Sequence, residues 1–270
     1  MRIVTLALNV PGPLAAKRWV EHGATVIKVE PPGGDPLDIY CANWCVDLNQ
    51  GQQRQTIDLK SSEGKEALAV LLSTADLLLT AQRPAVLERL GLGWSALQEK
   101  YPKLSHLAVV GYLAPNENEA GHDLTYQASL GLLAPPAMPR TLMADMAGGE
   151  RAALEGMALL MARQAGEDGQ QVFVALSEAA EYMAQPLAYG LTHEKGLLAG
   201  KNPVYSLYET ASGWVAIAAL EPHFSARLKK ELELTELSHE SLGAKLKKQT
   251  ATEWFEWAKE LDIPLAVVKD

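Results

Sequence analysis

Cysteine is nearly missing from this chain of 270 residues: only Cys41 and Cys45 occur. Their spacing matches no zinc or redox motif, and no histidine lies close enough in sequence to complete a ligand set. The expectation is therefore no metal, no disulfide framework and a reducing cytoplasm. An excess of positive charge is missing too. With 24 Lys and Arg against 33 Asp and Glu, the formal net charge is −9, which leaves nucleic-acid binding without electrostatic support. An anionic ligand would need a local cluster of Arg and Lys. No run approaches the roughly 20 apolar residues of a membrane span, so no membrane role is expected. The apolar opening, residues 1–10, stops at Pro11-Gly12-Pro13 without a small-residue cleavage site. That predicts a buried strand rather than a signal peptide. Nor does a Gly-x-Gly-x-x-Gly follow this strand, so the nicotinamide or flavin fingerprint is missing from the place it would occupy.

What is present is alternation. Residues 2–10 read as a strand, 14–22 as a helix closed by Gly23, and 25–30 as a second strand, a β-α-β unit that starts a parallel, right-handed sheet. Further strands are predicted at 55–59, 75–80, 104–110 and 172–176. Helices are predicted at 64–73, 86–90, 94–100, 150–164 and 177–189. Residues 30–36 read as a loop and 48–51 as a turn. The pattern predicts an open, Rossmann-like parallel sheet flanked by helices, with ligands at the carboxyl ends of the strands. After a Gly- and Pro-punctuated linker at 196–203 the texture changes. A hairpin over 205–219, helices at 224–234 and 252–261 and a strand at 263–268 predict a smaller α+β domain. The division expected is 1–196 and 197–270.

The stretch 121–149 holds the chemistry. Gly121-His122-Asp123 leaves one end, and Ala144-Asp145-Met146-Ala147-Gly148-Gly149 opens a long apolar helix at the other. If the fold brings them together, an imidazole that titrates near neutral pH and a carboxyl group form an acid/base pair across a substrate carbon. Taken alone, Asp145 reads as a helix cap and His122 as a loop residue.

With those residues placed, the chain resembles the class III coenzyme A-transferase family, which includes the α-methylacyl-CoA racemases. The resemblance is carried by Gly12-Pro13, Val26-Ile27-Lys28-Val29-Glu30-Pro31-Pro32-Gly33-Gly34-Asp35-Pro36, Asp58-Leu59-Lys60 and Arg83-Pro84. It continues through Leu87-Glu88-Arg89-Leu90-Gly91-Leu92-Gly93, Gly121-His122-Asp123, Asp145 before Gly148-Gly149, Pro203, Tyr205, Trp214, Glu221-Pro222 and Ile263-Pro264. It implies acyl-CoA thioesters as substrates, coenzyme A as part of the substrate rather than a tightly bound cofactor, and a homodimer that is often interlocked. It implies that Asp145 is the catalytic carboxylate. In a racemase Asp145 works with His122 by 1,1-proton transfer through an enolate, with Glu221 nearby. In a transferase it becomes an aspartyl-CoA thioester. A relative that binds without chemistry is the third reading.

The helix after Asp145 is expected to lend free N–H groups, Met146 to Gly149, to the enolate oxygen. Gly148 and Gly149 are expected to let the thioester approach the backbone. Arg83, Arg54, Lys28 and Arg18 are the candidate phosphate contacts. The sequence departs from the family where basic residues usually stand and Gln50, Gln52 and Gln53 occur, and in the acidic segment Asn116-Glu117-Asn118-Glu119. Family members also continue past the residues matching 263–268, so an altered site wall or dimer is expected.

Overall fold

The computed structural model describes residues 1–269 as two compact units, Met1–Ala184 and Gln185–Asp270. In the first, six parallel strands are β1 (Arg2–Thr5), β2 (Thr25–Glu30), β3 (Gln53–Thr56), β4 (Leu77–Thr80), β5 (Ser105–Val110) and β6 (Gln171–Ala175). Their order is β3-β2-β1-β4-β5-β6. Alternate side chains leave opposite faces of the sheet. Ile3, Leu77, Leu79 and Leu107 meet Ala15, Trp19, Leu159 and Leu160 of α1 (Pro11–Glu21) and α7 (Met143–Gln164). Val4, Ile27, Val29 and Leu78 meet Leu68 and Leu72 of α3 (Ser62–Leu72), Leu87 of α4 (Pro84–Leu90) and Leu97 of α5 (Trp94–Lys100). Both faces are thus covered, and the central strands are apolar without alternation, as a buried parallel sheet requires.

Chain order reverses between β1 and β4. At such a switch point the segments after neighbouring strands turn to opposite faces and leave a crevice at the carboxyl ends. The segment after β1 enters α1 at Pro11. The segment after β4 runs through Arg83 into α4.

Several boundaries differ from expectation. The first strand stops at Thr5. Between the loop predicted at 30–36 and the turn at 48–51 lies α2 (Leu37–Leu48), for which no element is predicted and which breaks at Cys41 (φ −159°, ψ 82°). Its Ile39, Tyr40 and Val46 are exposed, so no buried stripe marks the helix in sequence. The predicted strand at 55–59 is the exposed edge strand β3. Asp123–Ser129 forms α6, and α7 starts at Met143 rather than at 150. The helix after β6 is α8 (Leu176–Ala188).

The second unit carries a three-stranded antiparallel sheet of β7 (Tyr205–Glu209), β8 (Trp214–Ala218) and β9 (Leu265–Val267). Val215, Ile217 and Leu265 pack with Leu228 of α9 (Pro222–Glu231), Leu242 and Leu246 of α10 (His239–Leu246), and Trp254 and Ala258 of α11 (Ala251–Glu260). Among the described residues no helix is long and apolar enough to cross a membrane.

Candidate active site

The crevice at the switch point is a cavity of about 250 Å³. Leu8, Asn9 and Pro11 line it from the segment after β1, Gln82 and Arg83 from the segment after β4, and Val109 to Gly111 from the end of β5. Its remaining wall includes Glu117, Glu119, His122, Tyr126, Asp145 and Leu176. His122, Asp145 and Arg83, singled out from sequence, therefore share one cavity. The volume is below the roughly 300–1,000 Å³ of pockets for drug-sized ligands.

Two short elements set the pair. His122 is the N-cap of α6 with an extended backbone. Its N–H donates to Thr125 Oγ1 at 3.0 Å, and the Thr125 hydroxyl donates to the His122 carbonyl at 2.7 Å. These bonds fix the residue through its backbone. Asp145 lies in the first turn of α7 but does not cap it. That role belongs to Asp123, which is buried and reaches over from α6. Its Oδ1 accepts from the N–H groups of Ala144 (2.6 Å) and Asp145 (3.1 Å), and its Oδ2 accepts from Gln127 Nε2 at 2.5 Å. One carboxylate thus binds the start of α6 to the start of α7 and so sets His122 beside Asp145. The sequence placed Asp123 in a motif without a role, because the N–H groups it caps lie more than 20 positions away.

Burial raises the Asp145 carboxyl to about 6, the Asp123 charge adds to this, and the nearby His122 opposes it. A carboxyl group in that range populates both protonation states near neutrality.

Other sequence expectations are corrected. The N–H of Met146 donates to the Leu142 carbonyl at 2.9 Å, and positions 147–149 lie within α7. The helix start therefore offers none of the expected free donors from 146 to 149. A Cβ on Gly148 would strike Leu176, and one on Gly149 would meet Leu14 and the Pro11 carbonyl. These glycines let helices pack; they do not line the cavity. Lys28 is fully buried, donating to Asp35 at 2.5 Å and to Asn49 at 2.8 Å, so it cannot meet a phosphate. Its effect on the site is indirect. Asp35 accepts from the N–H of Asn9 at 3.0 Å and holds this cavity residue at a left-handed φ of 64°. Arg54 pairs with Glu30 and Asp38, and Arg18 with Glu150 and Glu21. Neither arginine lines the cavity. Glu221 is the exposed N-cap of α9 in the second unit.

The family model described as CoA-transferase family III matches residues 1–270. The chain is 31% identical over 252 residues to the alpha-methylacyl-CoA racemase of Mus musculus, covering 87% of this chain and 64% of that protein. The chain thus spans just under two thirds of the racemase's length. It is 27% identical over 337 residues to a probable fatty acyl-CoA transferase of Mycobacterium tuberculosis, covering 100% and 85%. A crystal structure of a hypothetical protein from Mycobacterium tuberculosis superposes with a TM-score of 0.85 at 26% identity, covering 100% of this chain and 83% of that one.

Proposed function

The chain belongs to CoA-transferase family III, and on that footing we propose that it is an acyl-CoA-handling enzyme that racemises 2-methylacyl thioesters. The observation carrying this reading is that His122 and Asp145 line one cavity at the carboxyl ends of β1 and β4. Racemisation breaks the C–H bond next to the thioester carbonyl, leaves an enolate, and returns a proton to the opposite face. One group takes the proton as base while the other supplies one as acid. A carboxyl raised to about 6 serves in both directions, as reversal of the reaction demands. The substrate would be an acyl-CoA, with Arg83 as a cation lining the cavity and Glu221 as a further carboxylate assigned on the family resemblance. A homodimer belongs to the same reading.

Likeness to a probable fatty acyl-CoA transferase supports a second reading on the same carboxylate. Ionised Asp145 would attack the thioester carbonyl and expel CoA thiolate. The thiolate would then attack the resulting anhydride at the aspartyl carbonyl, release the carboxylic acid and leave an aspartyl-CoA thioester.

Exchange of the α-proton of a 2-methylacyl-CoA with deuterated water separates the two. Under the racemase reading, His122→Ala and Asp145→Ala each lower exchange by a factor of about 100 or more, the scale of a lost acid/base group. Undiminished exchange in both variants would sink that reading. CoA attached to the Asp145 peptide by mass spectrometry would replace it with the transferase reading.

A further inference from the structure

Asn9 lies between β1 and α1 with a φ of 64°, in the left-handed region that side chains other than glycine seldom adopt. Strain of this kind persists only where the surroundings impose it, and it gathers at functional sites. Here the surroundings are a buried ion pair. Asp35 Oδ1 accepts from the N–H groups of Asn9 and Leu37, both at 3.0 Å, and its Oδ2 accepts from Lys28 Nζ at 2.5 Å. Lys28 in turn donates to Asn49 Oδ1 at 2.8 Å and lies 3.3 Å from Glu30 Oε1. Lys28 and Asp35 are 0% and 1% exposed, and Lys28 stands in β2 among the buried Val26, Ile27 and Val29. Two charges so far from water often stabilise a fold no more than apolar side chains would. What this pair fixes is one backbone turn, and that turn brings Asn9 to the cavity that holds His122 and Asp145.

The chemistry of the cavity has a use for an amide there. In either reaction negative charge gathers on the thioester carbonyl oxygen, as an enolate or as a tetrahedral oxyanion. A fixed donor aimed at that oxygen lowers the barrier, and side-chain amides serve as such donors. The start of α7 does not provide one, since Asp123 takes the N–H groups of Ala144 and Asp145, and Leu142 takes that of Met146. The other amide in the cavity wall, Gln82, is tied at both ends. Its Nε2 donates to the Leu6 carbonyl at 2.8 Å, and its Oε1 accepts from the Ala81 N–H at 3.2 Å. Asn9 is exposed, and its bond to Asp35 uses the backbone N–H rather than the carboxamide. We propose that the Asn9 carboxamide donates a hydrogen bond to the thioester carbonyl oxygen and holds it as charge develops. Asn9 is then a catalytic residue beside the acid/base pair, and Asp35 with Lys28 positions it. This rests on the acyl-CoA reading above.

The test is Asn9→Gly, because glycine keeps the left-handed turn without strain and removes the amide. Turnover of 2-methylbutyryl-CoA is read as α-proton exchange or, under the transferase reading, as CoA loaded onto Asp145. The variant should lower kcat about 100-fold or more. Its KM should stay near that of wild type, the pattern of a contact made only as charge develops, and its melting temperature should be unchanged or raised. Asn9→Asp at pH 8 keeps the shape but offers a carboxylate, which accepts and cannot donate, so it should be no faster than Asn9→Gly. Wild-type kcat in Asn9→Gly overturns the proposal, as does a loss confined to KM or an Asn9→Asp variant that outpaces Asn9→Gly. So does a clear fall in the melting temperature of Asn9→Gly, which would make the residue structural. Each of these leaves the acyl-CoA reading standing. If wild type neither turns over 2-methylbutyryl-CoA nor binds it by titration calorimetry, the acyl-CoA reading fails and takes the proposal with it.

Discussion

Asp145 is destabilised by its own charge. Its folded carboxyl sits at about 6 against an ordinary value of 3.8. Between about pH 4 and pH 6 the folded chain keeps a proton that the unfolded chain has released. The stability tied to this group is therefore full below pH 4 and is lost as the pH rises through 6. Asp145→Asn, neutral at every pH, should exceed wild type in stability at pH 7.5 by roughly 1–2 kcal/mol, two units discounted for partial exposure. The gain should vanish at pH 4, and urea midpoints at the two pH values check it. A variant no more stable than wild type at pH 7.5 would refute the burial argument. Asp123 acts instead through its hydrogen bonds to the start of α7. Asp123→Ala leaves two N–H groups of α7 without their acceptor and should cost about 1–3 kcal/mol. It should also speed amide exchange at Ala144 and Asp145 and depress turnover, although Asp123 carries no proton in the reaction.

At the scale of elements, the site depends on how closely α1 and α7 approach. Gly149 and Gly156 are the contact points. A Cβ on Gly149 would lie 2.6 Å from Leu14 and 2.9 Å from the Pro11 carbonyl oxygen, and one on Gly156 would run into the Trp19 indole. Backbone cannot step aside as a side chain can. Gly149→Ala should therefore destabilise by about 1–2 kcal/mol, overpacking exceeding the roughly 1 kcal/mol gained in helix propensity. Because Pro11 lines the cavity, α-proton exchange should fall as well if the proposed racemase reading holds, and a denaturation midpoint at or above that of wild type would contradict the packing argument. The same contacts show what was readable in the sequence. The central strands announced themselves as apolar runs between helices, and His122 and Asp145 stood out as reactive groups in motifs. Of the four cations only Arg83 lines the cavity, and the partners that hold the others are set by folding: Arg18 meets Glu150, 132 positions away, and Lys28 meets Asp35 through the loop after β2. α2 escaped notice because exposed Ile39, Tyr40 and Val46 interleave with its buried Leu37, Cys45 and Leu48, which blurs the stripe. Asp123 escaped because a cap supplied by another helix leaves no local trace. The helix stop and start signals themselves served well, Gly23 and Pro13 each falling within two residues of an end of α1.

On the scale of the whole molecule, the second unit has a core of its own. Residues of the first cluster around Trp19 and the central strands, while Val215, Ile217, Leu228, Leu242, Leu246, Trp254 and Ile263 form a second cluster of their own. Three strands with helices packed on them are enough for independent stability. The second core also has a built-in reporter. Trp254 is buried, donates its indole N–H to the Leu246 carbonyl at 2.7 Å, and meets Trp257 edge to face at 5.2 Å between centroids. Trp254 holds α11 against the end of α10, so its surroundings survive only while the unit is folded. We therefore expect a fragment spanning residues 185–270 to fold without the rest of the chain. Its tryptophan emission should be shifted to the blue in buffer and move to the red in one cooperative urea transition. Trp254→Ala should remove the blue-shifted component and cost about 3–5 kcal/mol. Scanning calorimetry of the intact chain should then show unfolding that departs from a single two-state transition. A fragment that emits as an unfolded peptide in buffer would mean that this core does not stand alone.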